Sequence, residues 1–283
     1  CNIYNNYAAS GSDILVVEAV NDIHVVLGTF TVLEPDGYFA VNRDNPYDEY
    51  EMTFDIQNGW LEQIDHDVYV STTGDDTNSG TSPEEPFRTI AWALHKVVSN
   101  SLESNTVHIA PGTYSQDLNN QIFPLGAKAN INITGSESED TILNNNSSLY
   151  VVGFRYKENC LIENLIFNNS YENANSVIKF FDCDNVIFNN IVIEDCNLQD
   201  RTVFLYDEEG GSFVFDNVII RNNTAEGCAG IEMPGRVNVS MKNCILDNNH
   251  SVGNLDTGWI SNFYCYVRDS LRIENCIFSN SST

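Results

Sequence analysis

Through the second half of the chain, apolar and polar residues alternate with a period of two, and one alternating phrase returns five times. It reads Ile-Glu-Asn-Leu-Ile-Phe-Asn-Asn at 162–169, Phe-Asn-Asn-Ile-Val-Ile-Glu-Asp at 188–195 and Phe-Asp-Asn-Val-Ile-Ile-Arg-Asn at 215–222. It returns as Met-Lys-Asn-Cys-Ile-Leu-Asp-Asn at 241–248 and Ile-Glu-Asn-Cys-Ile-Phe-Ser-Asn at 273–280. The central asparagines Asn164, Asn190, Asn217, Asn243 and Asn275 are spaced by 26, 27, 26 and 32 residues. A fixed period of this size predicts a solenoid, whose units bury their apolar faces only by stacking on their neighbours.

Alternation assigns the faces. Ile162, Phe188, Phe215, Met241 and Ile273 precede the marker by two, and Leu165, Ile191, Val218, Cys244 and Cys276 follow it by one; both columns point inward. The marker asparagine falls where one strand bends into the next, and its amide can bond the asparagines above and below it as a ladder. Two residues after the marker come Ile166, Val192, Ile219, Ile245 and Ile277, on the outward side. A solvent-facing strand surface is ordinarily polar, so this aliphatic stripe predicts a cover, either the N-terminal region or another chain. Leu161, Ile187 and Val214 begin a second outward column.

The phrasing resembles the right-handed parallel β-helix of the pectin-lyase-like superfamily. The stretch Asp67-Val-Tyr-Val-Ser-Thr-Thr-Gly-Asp-Asp-Thr-Asn-Ser-Gly, followed by Pro86-Phe-Arg-Thr-Ile-Ala, resembles the entry segment of secreted β-helix proteins, including polysaccharide lyases. The expectation is an all-β right-handed parallel β-helix over residues 67–283, with an N-terminal capping helix from about Arg88 to Ser99. Ile90, Leu94, Val97 and Val98 would form that helix's apolar face. The repeat reaches the end of the chain without a cap-like segment, which predicts further coils beyond it. Residues 1–66 read as a small β-rich module of short antiparallel strands broken by Gly28, Pro35-Asp36-Gly37 and Pro46. Its stretch from Thr31 to Asp44, with the phrase Pro-Asp-Gly-Tyr-Phe-Ala-Val, resembles the lamin-tail type of β-sandwich.

Charge narrows the partners. Thirteen Lys and Arg stand against 40 Asp and Glu, a net charge of −27. Nucleic acid and anionic membrane are excluded, because phosphate binding needs a basic footprint. Calcium could bridge such a surface to acidic glycans. The chain contains no apolar run approaching the ~20 residues of a bilayer span. Cys1 is a candidate lipid-anchored residue, and the chain reads as extracellular or attached to a cell surface. None of the eight cysteines forms a Cys-x-x-Cys pair, so zinc and redox sites are not indicated, and Cys244 and Cys276 read as stacked core thiols.

The catalytic phrases of polygalacturonases (Asn-Thr-Asp, Asp-Asp beside Gly-His-Gly, Arg-Ile-Lys) are missing as a set, which removes the hydrolase expectation. A lyase needs a Lys or Arg base beside a uronate carboxylate, often neutralised by calcium. Lys179, projecting outward between Ile178 and Phe180, is the candidate base, with Asp182, Asp184 and Asp195 as candidate calcium ligands. Arg201, Arg221 and Arg236 are further base candidates, and Glu194 and Asp207-Glu208-Glu209 further candidate calcium ligands. An exposed Lys near Asp is more often a surface ion pair of small weight. The leading expectation is therefore a non-catalytic surface protein acting in adhesion, carbohydrate binding or assembly, through self-association or other surface proteins; the alternative is a lyase of uronate-containing glycans.

Overall fold

The computed structural model describes residues 1–7, 13–17, 21–43, 51–155, 158–169, 171–181, 183–206, 211–252 and 262–282. Period-two alternation becomes a parallel β-solenoid with three faces. The first face runs through Val68–Val70, Asn105–Ile109, Ile131–Thr134 and the leading halves of Glu158–Asn169, Asp184–Glu194 and Ser212–Arg221. The trailing halves of those long strands form the second face, with Gly112–Tyr114, Thr141–Asn145, Ile245–Asp247 and Ile277–Ser279. Leu125–Gly126, Val152–Arg155, Ile178–Phe181 and Val203–Tyr206 make the third, continued by the opening residues of Ile231–Lys242 and Phe263–Glu274. Every one of these pairings is parallel, and register follows the repeat: Ile162 pairs with Phe188, and Phe188 with Phe215.

Each long strand crosses from the first face to the second by a bend at the marker asparagine. Asn164, Asn190, Asn217, Asn243 and Asn275 have φ of 58°, 53°, 56°, 55° and 51°, the left-handed region that asparagine tolerates best after glycine. Their amides link the coils: Asn190 Nδ2 donates to Asn164 Oδ1 at 2.8 Å, Asn217 to Asn190 at 3.0 Å and Asn275 to Asn243 at 2.8 Å. At one step the ladder changes partner, because Asn243 donates to Asp216 at 3.1 Å.

Two more asparagine columns accompany it. Asn185 Nδ2 donates to Asn159, and Asn159 to Asn130, all three left-handed. In the interior, Asn145 donates to Asn169 at 3.2 Å and Asn223 to Asn249 at 3.1 Å, all four being 0–1% exposed. Cys196 occupies the coil between them: Asn169 N–H donates to its Sγ, and its own N–H to Asn223 Oδ1. Burial pushes the Cys196 thiol up to about 12.

The inward columns are sealed as far as Met241 and Cys244; in the last coil Ile273 is 43% exposed and Cys276 half-buried. Leu165, Ile191, Val218 and Cys244 are 0–2% exposed, and the rings of Phe188 and Phe215 stack at 5.5 Å. Each such side chain contributes roughly 1.5–3 kcal/mol by leaving water. Cys244 lies inward as expected, with its N–H donating to Cys276 Sγ at 3.4 Å; the cysteines are free thiols.

The helix is shorter than its apolar pattern suggests, Ile90–Lys96. Thr89 Oγ1 accepts the Trp92 N–H as N-cap, and Val97 leaves the helix to bridge Ile64. Ile90, Ala93 and Leu94 face the core at 0% exposure. The turn before it is built on Gly80 at φ +69°, where a Cβ would lie 2.0 Å from the Phe87 ring.

The described strands of the N-terminal region, Asn2–Ile3, Ile14–Val17, Ile23–Phe30, Ala40–Arg43 and Met52–Gly59, depart from the antiparallel expectation. Asn2 pairs with Thr29, Ile14 with Ala40 and Ile23 with Met52, all parallel and 27, 26 and 29 residues apart. These offsets match the coil length of the solenoid, and the parallel pairing is not that of an antiparallel sandwich. Alternation has the same period in either pairing, so the sequence pattern carries no direction. The Pro35-Asp36-Gly37 turn links strands of two different sheets, Ile23–Phe30 and Ala40–Arg43, and is not a hairpin.

Turn and loop residues beside these N-terminal strands pack on the helix. Tyr38 Oη lies 3.1 Å from His95 Nδ1, Tyr7 stacks on His95 at 4.4 Å and Trp60 meets Trp92 edge-on at 6.1 Å. Lys128, 1% exposed, donates to the Val97 carbonyl at 2.7 Å, 3.8 Å from Asp36 and 4.8 Å over the Tyr38 and Phe39 rings. With desolvation first and Lys128 second, the His95 imidazole is held down at about 4.

Candidate functional site

The lyase candidates fall on different corners of the solenoid. Lys179 projects from Ile178–Phe181 on the third face, with Nζ 6.0 Å from the centre of the Tyr150 ring. Asp182 lies outside the described residues, as do Asp207, Glu208, Glu209 and the Arg236 side chain.

Asp184 opens the next long strand and fastens two coils. Its Oδ1 accepts the Ser212 N–H at 2.7 Å, the Ser212 hydroxyl at 2.8 Å and the Asn185 N–H at 2.8 Å. Desolvation raises its pKa, but the Ser212 and Asn185 bonds outweigh that and hold the carboxyl below its ordinary range. Asp195 stands at the bend that ends the second face, at φ 57°, where it accepts from Asn222 Nδ2 at 3.2 Å. Both carboxylates therefore do the rung-to-rung work of an asparagine. Arg221 is spent on Glu194, with Nε at 2.8 Å and Nη2 at 2.6 Å. Among the described residues, no three His, Cys, Asp or Glu are grouped to hold a metal ion.

One acid was not anticipated. Glu232 follows Ile231 on the third face in the same register column as Lys179 and Phe204. It is 0% exposed; its Oε2 accepts from Arg201 Nε at 2.5 Å, while Oε1 is buried without a partner. Arg201 Nη1 also bonds Asp200 at 2.6 Å. Burial pushes the Glu232 carboxyl up, and the Arg201 guanidinium offsets only part of this. The column register alone sets Glu232 level with Lys179, since Gly230-Ile-Glu-Met aligns with Val177-Ile-Lys-Phe. Its burial, though, depends on the loop that carries Arg201.

The outward aliphatic stripe is longer than its sequence phrase. Ile142 pairs with Ile166, and the column continues through Val192, Ile219 and Ile245 to Ile277. The first five are partly exposed and Ile277 is 55% exposed. The described N-terminal contacts with the helix are those of Tyr7, Tyr38 and Trp60.

Among the described residues, no helix is long and apolar enough to cross a membrane. No curated protein sequence matches the chain. Among solved structures, a rhamnogalacturonan lyase is similar with a TM-score of 0.41 and 12% identity, over 72% of this chain and 62% of the lyase. The chain thus spans less than two thirds of that enzyme, and a likeness of this size carries no argument about activity. Residues 72–281, from just after the first solenoid strand to just after the last, match the family described as "Protein of unknown function (DUF1565)", and the chain belongs to that family.

Proposed function

We propose that the protein works outside the cell as a non-catalytic contact protein, in adhesion, carbohydrate binding or surface assembly, with the solenoid as a rigid scaffold. In this reading helix Ile90–Lys96 closes the first coil and residues 1–66 are an accessory module. The observation that carries it is the outward ladder from Ile142 to Ile277: six aliphatic residues in register on a face left partly open to water. Apolar surface of this continuity marks contact sites. The commitment of Asp184 and Asp195 to hydrogen bonds within the solenoid also weighs against calcium at those two positions, because coordination would have to break those bonds.

A second reading, cleavage of uronate-containing glycans, is favoured by Glu232, a buried carboxyl of raised pKa with one unpartnered oxygen beside Arg201. The two are separated by one set of measurements. Ile219→Asp with Ile245→Asp is expected to reduce self-association in light scattering or attachment to the producing cell surface, while uronate polymers yield no unsaturated ends with the unaltered chain. Release of unsaturated uronate that Glu232→Gln abolishes would overturn the non-catalytic reading.

A further inference from the structure

We infer that the aliphatic ladder of the second face is the docking surface for a cationic amphipathic helix of another protein, lying along the solenoid axis. The inference rests on the reading of the outer faces as contact surfaces, and it names the occupant.

Length and mode of contact come first. Six ladder residues make five steps of roughly 4.8 Å, about 24 Å in all, which a helix of roughly 16 residues spans at 1.5 Å per residue. The backbone of this face is already engaged between coils, as in the parallel register of Ile166 with Val192 and Val192 with Ile219. A partner laid on the face therefore meets side chains and finds no strand edge to extend. Of the recurring ways in which peptides are recognised, that leaves the apolar stripe of a helix.

Charge selects the partner. Glu163, Asp216 and Glu274 stand in the outward column on one flank of the ladder, Glu194 and Asp247 on the other. The cations in these columns are Lys242 and Arg221, and Arg221 is already bound to Glu194. Bonds from Ser279 and Asn280 hold the Asp247 carboxyl below its ordinary range, so it stays charged. An apolar stripe edged with carboxylates fits an apolar stripe edged with Lys and Arg. A second copy, bringing its own net charge of −27, would meet like charge on like.

The test uses the whole chain and a synthetic 18-residue Leu/Lys peptide (about the length a helix needs to cover the ladder), with a scrambled peptide of the same composition as control. Affinities are measured by calorimetry at low and at physiological salt. Ile219→Thr with Ile245→Thr keeps β-branched residues in the strands while making the ladder polar. The expected result is binding with negative heat-capacity change, weakened about tenfold or more by the Thr pair. Glu163→Gln with Asp216→Asn should also weaken it and flatten its salt dependence, and the scrambled peptide should bind at least about tenfold less tightly. Equal binding of the scrambled peptide, or indifference to the Thr pair, would overturn the inference. Self-association abolished by the Thr pair, with no peptide binding, would also overturn it: the ladder would remain a contact surface, with a second copy as occupant. No effect of the Thr pair on peptide, self-association or surface attachment would remove both this inference and the contact-protein reading.

Discussion

Glu232 shows how one residue's environment sets its chemistry. Arg201 at 2.5 Å favours the carboxylate, yet the side chain is sealed from water and Oε1 has no donor, so the net shift is upward from 4.5. The sign for stability follows. Between 4.5 and the raised folded value the native state binds more protons than the unfolded chain, so Glu232's contribution is fully present below 4.5 and is lost as pH rises through the folded pKa. Chemical denaturation across pH 4 to 7 should therefore show Glu232→Gln gaining on the unaltered chain as pH rises, since the amide has no charge to desolvate. A constant difference across that range would mean that Arg201 cancels the burial. No local motif marks this acid, because its neighbour in the ion pair is 31 positions away.

At the scale of the strand and its bend, asparagine has two separable jobs. It adopts left-handed φ, and its amide bonds the next coil. Asn190→Gly keeps the first and loses the second, whereas Asn190→Ala loses both. Losing the amide bonds costs about 0.5–1.5 kcal/mol each, and forcing alanine to positive φ adds about 1–2 kcal/mol. Equilibrium unfolding should rank the unaltered chain above Gly and Gly above Ala; equal losses would show that the ladder alone matters. The same logic explains why Asp195 sits at a bend. It is the one acid in a left-handed column otherwise held by Asn222, Asn248 and Asn280, accepting where they also donate. A carboxylate at such a position reads in sequence as a metal ligand, and only the rung-to-rung distance reveals the other role.

For the whole molecule, the dominant quantity is charge. With −27 spread over 283 residues, self-repulsion opposes the compact state and salt should relieve it. Raising NaCl from about 20 to about 500 mM is expected to lift the thermal midpoint by several degrees, and a midpoint that falls would show that local pairs such as Arg221–Glu194 outweigh the net field. The second whole-molecule feature is where the N-terminal strands lie. Tyr7 and Tyr38 pack on His95, and Trp60 on Trp92, so the described N-terminal residues meet the chain at helix Ile90–Lys96.

By itself the sequence determined the solenoid, its coil length, the inward columns and the bends, because a coil stacked on its own image must repeat its alternation and its asparagines at a constant interval. It also determined the outward ladder, since alternation alone assigns Ile166, Val192, Ile219, Ile245 and Ile277 to the solvent side. The tertiary structure alone decided the parallel pairing of the described N-terminal strands, because period two is the same in parallel and antiparallel strands. It alone decided that Asp184 and Asp195 fasten coils, that Arg201 reaches Glu232, and that Tyr7, Tyr38 and Trp60 pack on helix Ile90–Lys96. Those outcomes depend on which coils lie side by side, and contact between residues about 30 positions apart leaves no mark in the local pattern of either partner.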